Sequence, residues 1–234
     1  MRAPVLITGA TQRIGLSLAE HFMARDIPVI VTYRRPKSAL TRLQQAGATT
    51  LQADFATNEG ISALISAVKD HTSALRAIIH NASDWDKEQD NQDPAALMAK
   101  MMQVHVSAPY QINLGLQTLL GHQGLSDIIH MTDFVTRTGH PRQIAYAASK
   151  AALDNMTLSF ATLLADQAKV NSIAPALLMF TANDDASSRQ KAQHKQLLAP
   201  APGPQEAVST VEYIMNSDYI TGRTLHLDGG RHLV

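Results

Sequence analysis

Short, continuous apolar runs alternate along this chain with stripes of helical spacing. Val5-Leu6-Ile7, Val29-Ile30-Val31-Thr32-Tyr33, Ala77-Ile78-Ile79-His80 and Val170-Asn171-Ser172-Ile173-Ala174-Pro175 are too short and too uniformly apolar for half-exposed strands. They read as strands covered on both faces. Weaker runs at Thr49 to Gln52, Asp127 to Asp133 and Thr224 to Leu227 complete the set. Between them lie apolar positions three and four apart: Leu16, Leu18, Ala19, Phe22 and Met23; Leu40, Leu43 and Ala46, ending at Gly47; Ile61, Leu64, Ile65 and Val68. Each predicts a covering helix. Asp93-Pro94 is a helix start, an N-cap followed by proline at N1, and opens a long helix through Leu97, Met101, Val104, Ala108 and Ile112 that Pro109 should bend. A further helix runs from Tyr146 through Leu153, Met156, Phe160 and Leu164, and a last one from Ala207 to Met215. Residues 177–204 lack periodicity and are rich in Ala, Ser, Asp and Pro, which reads as a lid beside a site. Strand–helix alternation throughout predicts an α/β fold: a doubly wound parallel sheet in three layers, forming a single domain over 1–234.

In such a sheet, ligands gather at the carboxyl ends of the strands, and the polar residues there are informative. The first strand runs into Thr8-Gly9-Ala10-Thr11-Gln12-Arg13-Ile14-Gly15. This turn supplies backbone N–H groups and a helix N-terminus for a pyrophosphate, with Gly9 for the turn and Gly15 for close helix–strand packing. Arg13 stands where a middle glycine is usual and can pair with phosphate. The second strand ends in Tyr33-Arg34-Arg35-Pro36. No acid is present at that tip to accept from the ribose of NAD; two arginines suit the 2′-phosphate of NADP, or are simply a basic loop. Asp54 and Asn81-Ala82-Ser83 occupy other strand tips. Trp85, the sole tryptophan, is either a platform for a flat ligand or a surface residue capping the next helix.

Tyr146 and Lys150, spaced i to i+4, share one helical face. A nearby ammonium favours phenolate, so Lys150 is expected to lower the pKa of Tyr146 and make it an acid usable at neutral pH. Alternatively, the pair is a solvated face with a snorkelling lysine.

Composition narrows the field. Lys+Arg and Asp+Glu are 20 each, giving no overall field toward nucleic acid or an anionic membrane. No apolar run approaches about 18 residues, so no membrane span is expected, and the apolar run after Met1-Arg2-Ala3-Pro4 is too short for a signal peptide. Cysteine is absent and the ten histidines lack ligand spacing, which removes disulfides and thiolate chemistry, predicts no metal site and fits a cytoplasmic protein.

Taken in register, Thr8-Gly9 through Gly15, Asn81-Ala82, Tyr146-x-x-x-Lys150, Asn171 to Pro175 and Tyr219-Ile220-Thr221-Gly222 through Asp228-Gly229-Gly230 resemble the short-chain dehydrogenase/reductases over essentially the whole length. The resemblance implies a Rossmann-type fold, a nicotinamide cofactor and a homotetramer. It implies a cofactor site including Gly9, Arg13, Ile14, Gly15, Tyr33, Arg34, Arg35, Asp54, Asn81, Ala82, Ser83, Thr132, Tyr146, Lys150 and Pro175, with Tyr146 as proton donor and Lys150 on the nicotinamide ribose. Three positions depart from the family pattern: Arg13 for glycine, Asp133 for serine and His105 for asparagine. Arg13 and Asp133 together look like the pteridine reductase branch, and the run Ile144 to Met156, with His105 and the ending Asp228 to Leu233, is similar to bacterial dihydropterin reductases of that branch. In that branch the aromatic residue here filled by Trp85 stacks on the pterin, so the substrate set becomes Arg13, Ser83, Trp85, Asp133 and Tyr146, with NADPH as reductant and weak dihydrofolate reduction as a second activity. Two rivals follow from the same fold: a carbonyl or 3-oxoacyl-thioester reductase, which prefers serine to Asp133, and a non-catalytic NADP-binding protein. His105 leaves the usual proton relay open, since imidazole can also pass a proton.

Overall fold

The computed structural model describes residues 2–181, 184–199 and 201–234. Its strands are β1 Val5–Ile7, β2 Val29–Tyr33, β3 Thr49–Gln52, β4 Ala77–His80, β5 Ser126–Met131, β6 Ala168–Pro175 and β7 Thr224–Leu227. They form one seven-stranded sheet in the order β3-β2-β1-β4-β5-β6-β7, every pair parallel. The order reverses between β1 and β4, so the connections leaving their carboxyl ends run to opposite faces of the sheet and open a crevice there.

Both faces are covered, which is why the strands read as continuous apolar runs. Val5, Ile7, Val31, Ile79, Ile129 and Ile173 pack on one side. There they meet Leu18 and Phe22 of α1 (Arg13–Met23) and Val208, Val211 and Ile214 of α9 (Gln205–Asn216). Leu6, Ile30, Ile78 and Ile128, their neighbours in sequence, point the other way, as does Val170 of β6. Those residues meet α3 (Asn58–His71), α5 (Ala108–Leu116) and α7 (Ile144–Leu163) through Ile61, Leu64, Val68, Ile112, Leu116 and Phe160. The period of two in the strands thus sorts one run into two cores, each large side chain contributing about 1.5–3 kcal/mol. At the opposite edge from the crevice, buried Asp127 pairs with Arg76 and, at 3.1 Å, with Lys169. These two cations also close the end of α9, on Met215 O at 2.9 Å and Ile214 O at 2.8 Å.

Three expectations are corrected. The long helix is not simply bent at Pro109: α4 (Pro94–Met102) gives way to a π-helical stretch, Gln103–Ser107, before α5. A proline ring collides with the carbonyl four residues back, here that of His105, and the wider π turn accommodates it. The start of α4 is as expected, with Asp93 Oδ1 accepting from Ala95 N and Ala96 N at 3.0 Å each. Residues 177–204 are not without regular structure, since they hold α8 (Ala186–Gln193), whose polar sequence leaves no stripe to read; positions 182, 183 and 200 lie outside the described residues. Finally, β5 ends at Met131, and Asp133 falls in the turn that leads to α6 (Val135–Thr138).

Candidate active site

The crevice at the carboxyl end of the sheet encloses about 1140 Å³. Its floor is the loop after β1, and two glycines there are irreplaceable on geometry. Gly9 has φ +66, and a Cβ on it would lie 2.9 Å from Ala82 Cα. A Cβ on Gly15 would lie 2.5 Å from Asn81 Nδ2 and 2.7 Å from Gly9 O. The Asn81 amide fills that space, donating to Thr8 O at 3.0 Å and Gly9 O at 2.9 Å. Asn81, a cofactor residue by family resemblance, lines the crevice and with its amide braces the loop. Thr8, to which the motif gives no role of its own, is the other brace: its hydroxyl accepts from Asn81 N and Ala82 N, both at 3.0 Å. Arg13 adopts φ +52, a left-handed conformation costing a non-glycine residue about 1 kcal/mol or more. It opens α1 with no side-chain cap, leaving the first N–H groups and a guanidinium at the crevice.

At the tip of β2, Tyr33, Arg34, Arg35 and Lys37 line the crevice. Arg34 Nη1 donates to Asp84 Oδ2 at 3.0 Å. Asp54 lines the same wall, with Oδ1 accepting from Ala56 N at 3.0 Å. A glycine cradle beside a helix N-terminus, with three cations and no acid of its own at the β2 tip, fits a dinucleotide carrying an extra phosphate. Ile14, Ala82, Thr132 and Pro175 also line the crevice.

The reactive end is built by α7 and the turn after β5. Tyr146 is 8% exposed and Lys150 3% exposed, which removes the reading of a solvated helix face. Lys150 Nζ donates to Met131 O at 2.8 Å and lies 5.7 Å from the Tyr146 ring centroid. Tyr146 OH donates to Asp133 Oδ2 at 2.9 Å, and Asp133 Oδ1 accepts from Val135 N at 2.9 Å. The expected lowering of the tyrosine pKa is therefore reversed. Burial, then the Asp133 charge and its hydrogen bond, push Tyr146 well above its ordinary value, outweighing Ser83 and Arg13. Burial also lowers Lys150 to about 8, against the pull of Asp133. A buried ammonium costs free energy, and a buried phenol beside a carboxylate resists ionising.

His105, in the π stretch, is buried and ties the site's two halves together. Its Nε2 accepts from Asp84 N at 3.2 Å and meets Ser83 Oγ at 2.9 Å; its Nδ1 lies 2.8 Å from Ser149 Oγ. A backbone N–H can only donate, so Nε2 is the acceptor and the proton sits on Nδ1. Ser149 passes its own hydrogen to Tyr146 O at 2.7 Å. Burial and the Lys150 charge hold His105 down at about 2, so the ring stays neutral and braces the loop rather than carrying charge. Trp85 is 52% exposed and lines the crevice, its N–H donating to Asp84 Oδ1 at 3.0 Å. Among the described residues no cluster of His, Cys, Asp or Glu is placed to hold a metal ion, and no helix is long and apolar enough to cross a membrane.

A parallel sheet with its crevice at β1, a glycine cradle and a buried Tyr–Lys pair define the class of nucleotide-dependent oxidoreductases built on the Rossmann fold. A family model described as enoyl-(acyl carrier protein) reductase matches residues 9–232, and the chain belongs to the short-chain dehydrogenase/reductase family. It is 53% identical over 232 residues to a dihydromonapterin reductase of Klebsiella pneumoniae, covering 98% of this chain and 97% of the relative. To a dihydromonapterin reductase of Escherichia coli O6:K15:H31 it is 52% identical, with the same coverage. Among solved structures it is similar to FolM alternative dihydrofolate reductase 1 from Brucella canis complexed with NADP, with TM-score 0.87 and 26% identity over 99% of this chain and 94% of that one.

Proposed function

We propose that this protein is an NADPH-dependent dihydropterin reductase that converts 7,8-dihydromonapterin to tetrahydromonapterin and reduces dihydrofolate more slowly. The observation that carries the reading is the Asp133 carboxylate, bonded to Tyr146 OH at 2.9 Å inside the crevice. A serine at that position polarises a carbonyl; two carboxylate oxygens instead match the amino and ring N–H groups of a pterin edge. That disfavours the carbonyl and thioester rivals. Half-exposed Trp85 offers an aromatic face for the flat ring.

NADPH, when bound, supplies a hydride to C6 of the dihydropterin imine, and N5 takes a proton. Gly9, Gly15 and the α1 N-terminus would hold its pyrophosphate, Arg34 and Arg35 its 2′-phosphate, and Lys150 the ribose hydroxyls. Asp133 orients the pterin, and in doing so gives up Tyr146. That removes the hydrogen bond helping to hold the phenol's pKa up, so substrate binding itself makes Tyr146 a better acid, directly or through one water. Leu177, Leu178, Met179, Thr181 and Asp184 line the crevice, and the segment they open is the lid that limits water at this end. The protein works as a homotetramer in the cytoplasm, an expectation carried by family likeness.

The test is NADPH oxidation, followed by absorbance, with dihydromonapterin, dihydrobiopterin, dihydrofolate and an acetoacetyl thioester side by side. Turnover of the dihydropterins ahead of dihydrofolate supports the reading. Turnover of the thioester alone refutes it, and cofactor binding with no turnover of any substrate would revive the non-catalytic alternative.

A further inference from the structure

Asp84 belongs to none of the roles assigned above, yet its carboxylate joins three elements. Oδ2 accepts from Arg34 Nη1 at 3.0 Å and lies 3.4 Å from Lys100 Nζ on α4, while Oδ1 accepts from Trp85 N at 3.0 Å. Its own N–H donates to His105 Nε2 at 3.2 Å. Strands β2 and β4 flank β1, so a pair running from the tip of one to the segment after the other crosses the end of β1, where the glycine loop opens. Both residues line the crevice. The Arg34 side chain is 46% exposed and that of Asp84 19%, so the arginine can swing while the carboxylate is held. Burial alone would raise the Asp84 carboxyl, but the bonds from Arg34 and the Trp85 N–H, with the Lys100 charge, bring it below its ordinary value. It is an anion at neutral pH.

We propose that Asp84 is a placeholder for the cofactor's 2′-phosphate: it holds Arg34 across the crevice and gives it up to the phosphate, which changes the charge beside Trp85. This rests on the reading of NADPH as cofactor and not on the identity of the pterin. Two properties follow. A dinucleotide without the 2′-phosphate leaves the Arg34–Asp84 pair closed, so preference between NADPH and NADH resides in Asp84 as well as in the arginines. And the charge next to Trp85 changes when the phosphate binds, so the phosphate is sensed beside the proposed pterin platform.

Trp85, the only tryptophan, reports this event by its fluorescence. The full-length protein is titrated with adenosine 2′,5′-bisphosphate and, separately, with 5′-AMP, following Trp85 emission and binding heat. The bisphosphate should shift the emission and saturating AMP should not. Asp84→Asn should bind the bisphosphate roughly five- to tenfold tighter, the effect of removing one screened like charge and a competitor for Arg34. Asp84→Glu should restore weaker binding. Equal affinity of Asp84→Asn and wild type, or an equal emission shift with AMP, overturns the proposal. No bisphosphate binding by either protein overturns the NADPH reading together with it. Failure of every dihydropterin to turn over touches neither, because the probe contains no nicotinamide and no pterin.

Discussion

Replacing Asp133 with asparagine is the sharpest test of how this site selects its substrate. The side chains are nearly isosteric, and Asn keeps an oxygen for Val135 N, which Asp133 Oδ1 now satisfies at 2.9 Å, so the turn into α6 survives. What is lost is the charge and the second acceptor, the oxygen that takes Tyr146 OH at 2.9 Å. Two hydrogen bonds from a pterin edge to an ionised carboxylate are worth about 1.5–3 kcal/mol each, so kcat/KM for dihydropterins should fall by roughly two to four orders of magnitude. NADPH affinity should change by no more than about twofold, because apart from Lys150 the contacts expected to hold the cofactor lie at β1, β2 and α1. The charge also holds the Tyr146 pKa up and pulls that of Lys150 up. In the variant both should therefore move down, and the basic limb of the residual pH–rate profile should shift toward acid. Steady-state kinetics across pH, with calorimetry for NADPH, measure all three quantities. Equal losses of cofactor affinity and turnover would show that Asp133 supports the fold rather than the substrate. Unchanged turnover would show that the pterin is held elsewhere.

Other residues give independent checks. Arg34→Ala with Arg35→Ala should weaken NADPH about tenfold or more, with NADH little affected, since charge-assisted bonds to one phosphate are removed; an unchanged preference in competition binding would move the contact to Arg13 or Lys37. Gly15→Ala forces a methyl to within 2.5 Å of Asn81 Nδ2 and 2.7 Å of Gly9 O, so overpacking of about 1–3 kcal/mol should lower Tm by several degrees and weaken cofactor binding as the brace shifts. Lys150 sits at about 8 in the folded protein against 10.5 for the free side chain. Between those values the unfolded chain binds more protons, so stability should rise with pH across that window, with the full cost of burying the ammonium present below it. Lys150→Met should flatten that rise in denaturant titrations at successive pH values, and an unaltered slope would mean that another group is responsible.

Much of the fold was legible because the sheet is covered on both sides. The bounds of β1, β2, β3, β4 and β7 can be read from the sequence, since a buried parallel strand must be apolar along its length and polar where it stops. The remainder escapes for identifiable reasons. Helix α8 has no apolar stripe to read. Pro109 announces a disturbance but not that it is met one turn earlier by π geometry. At the site, the glycines, the β2 arginines and the Tyr146–Lys150 pair stand out because local spacing carries their chemistry. Thr8 and Asp84 do not: their partners Asn81 and Arg34 lie 73 and 50 residues away. Only the strand order, which puts β1 between β2 and β4, makes them neighbours.

The misjudged sign at Tyr146 shows why spacing alone could not settle the acid. An i to i+4 lysine is close along the helix, but here its ammonium is turned to Met131 O and lies 5.7 Å from the phenol ring centroid. The group that touches the phenol is Asp133, thirteen residues earlier and on a different element. In a buried site the nearer charge dominates, and burial opposes phenolate from the outset. A tyrosine so placed is a poor acid until its carboxylate partner is engaged by something else. The pterin edge is such a partner, whereas a simple carbonyl, having no N–H to offer Asp133, would leave the Tyr146–Asp133 bond intact. On the proposed function, selectivity for an amino-pterin and activation of the proton donor are two consequences of a single hydrogen bond exchanged at Asp133.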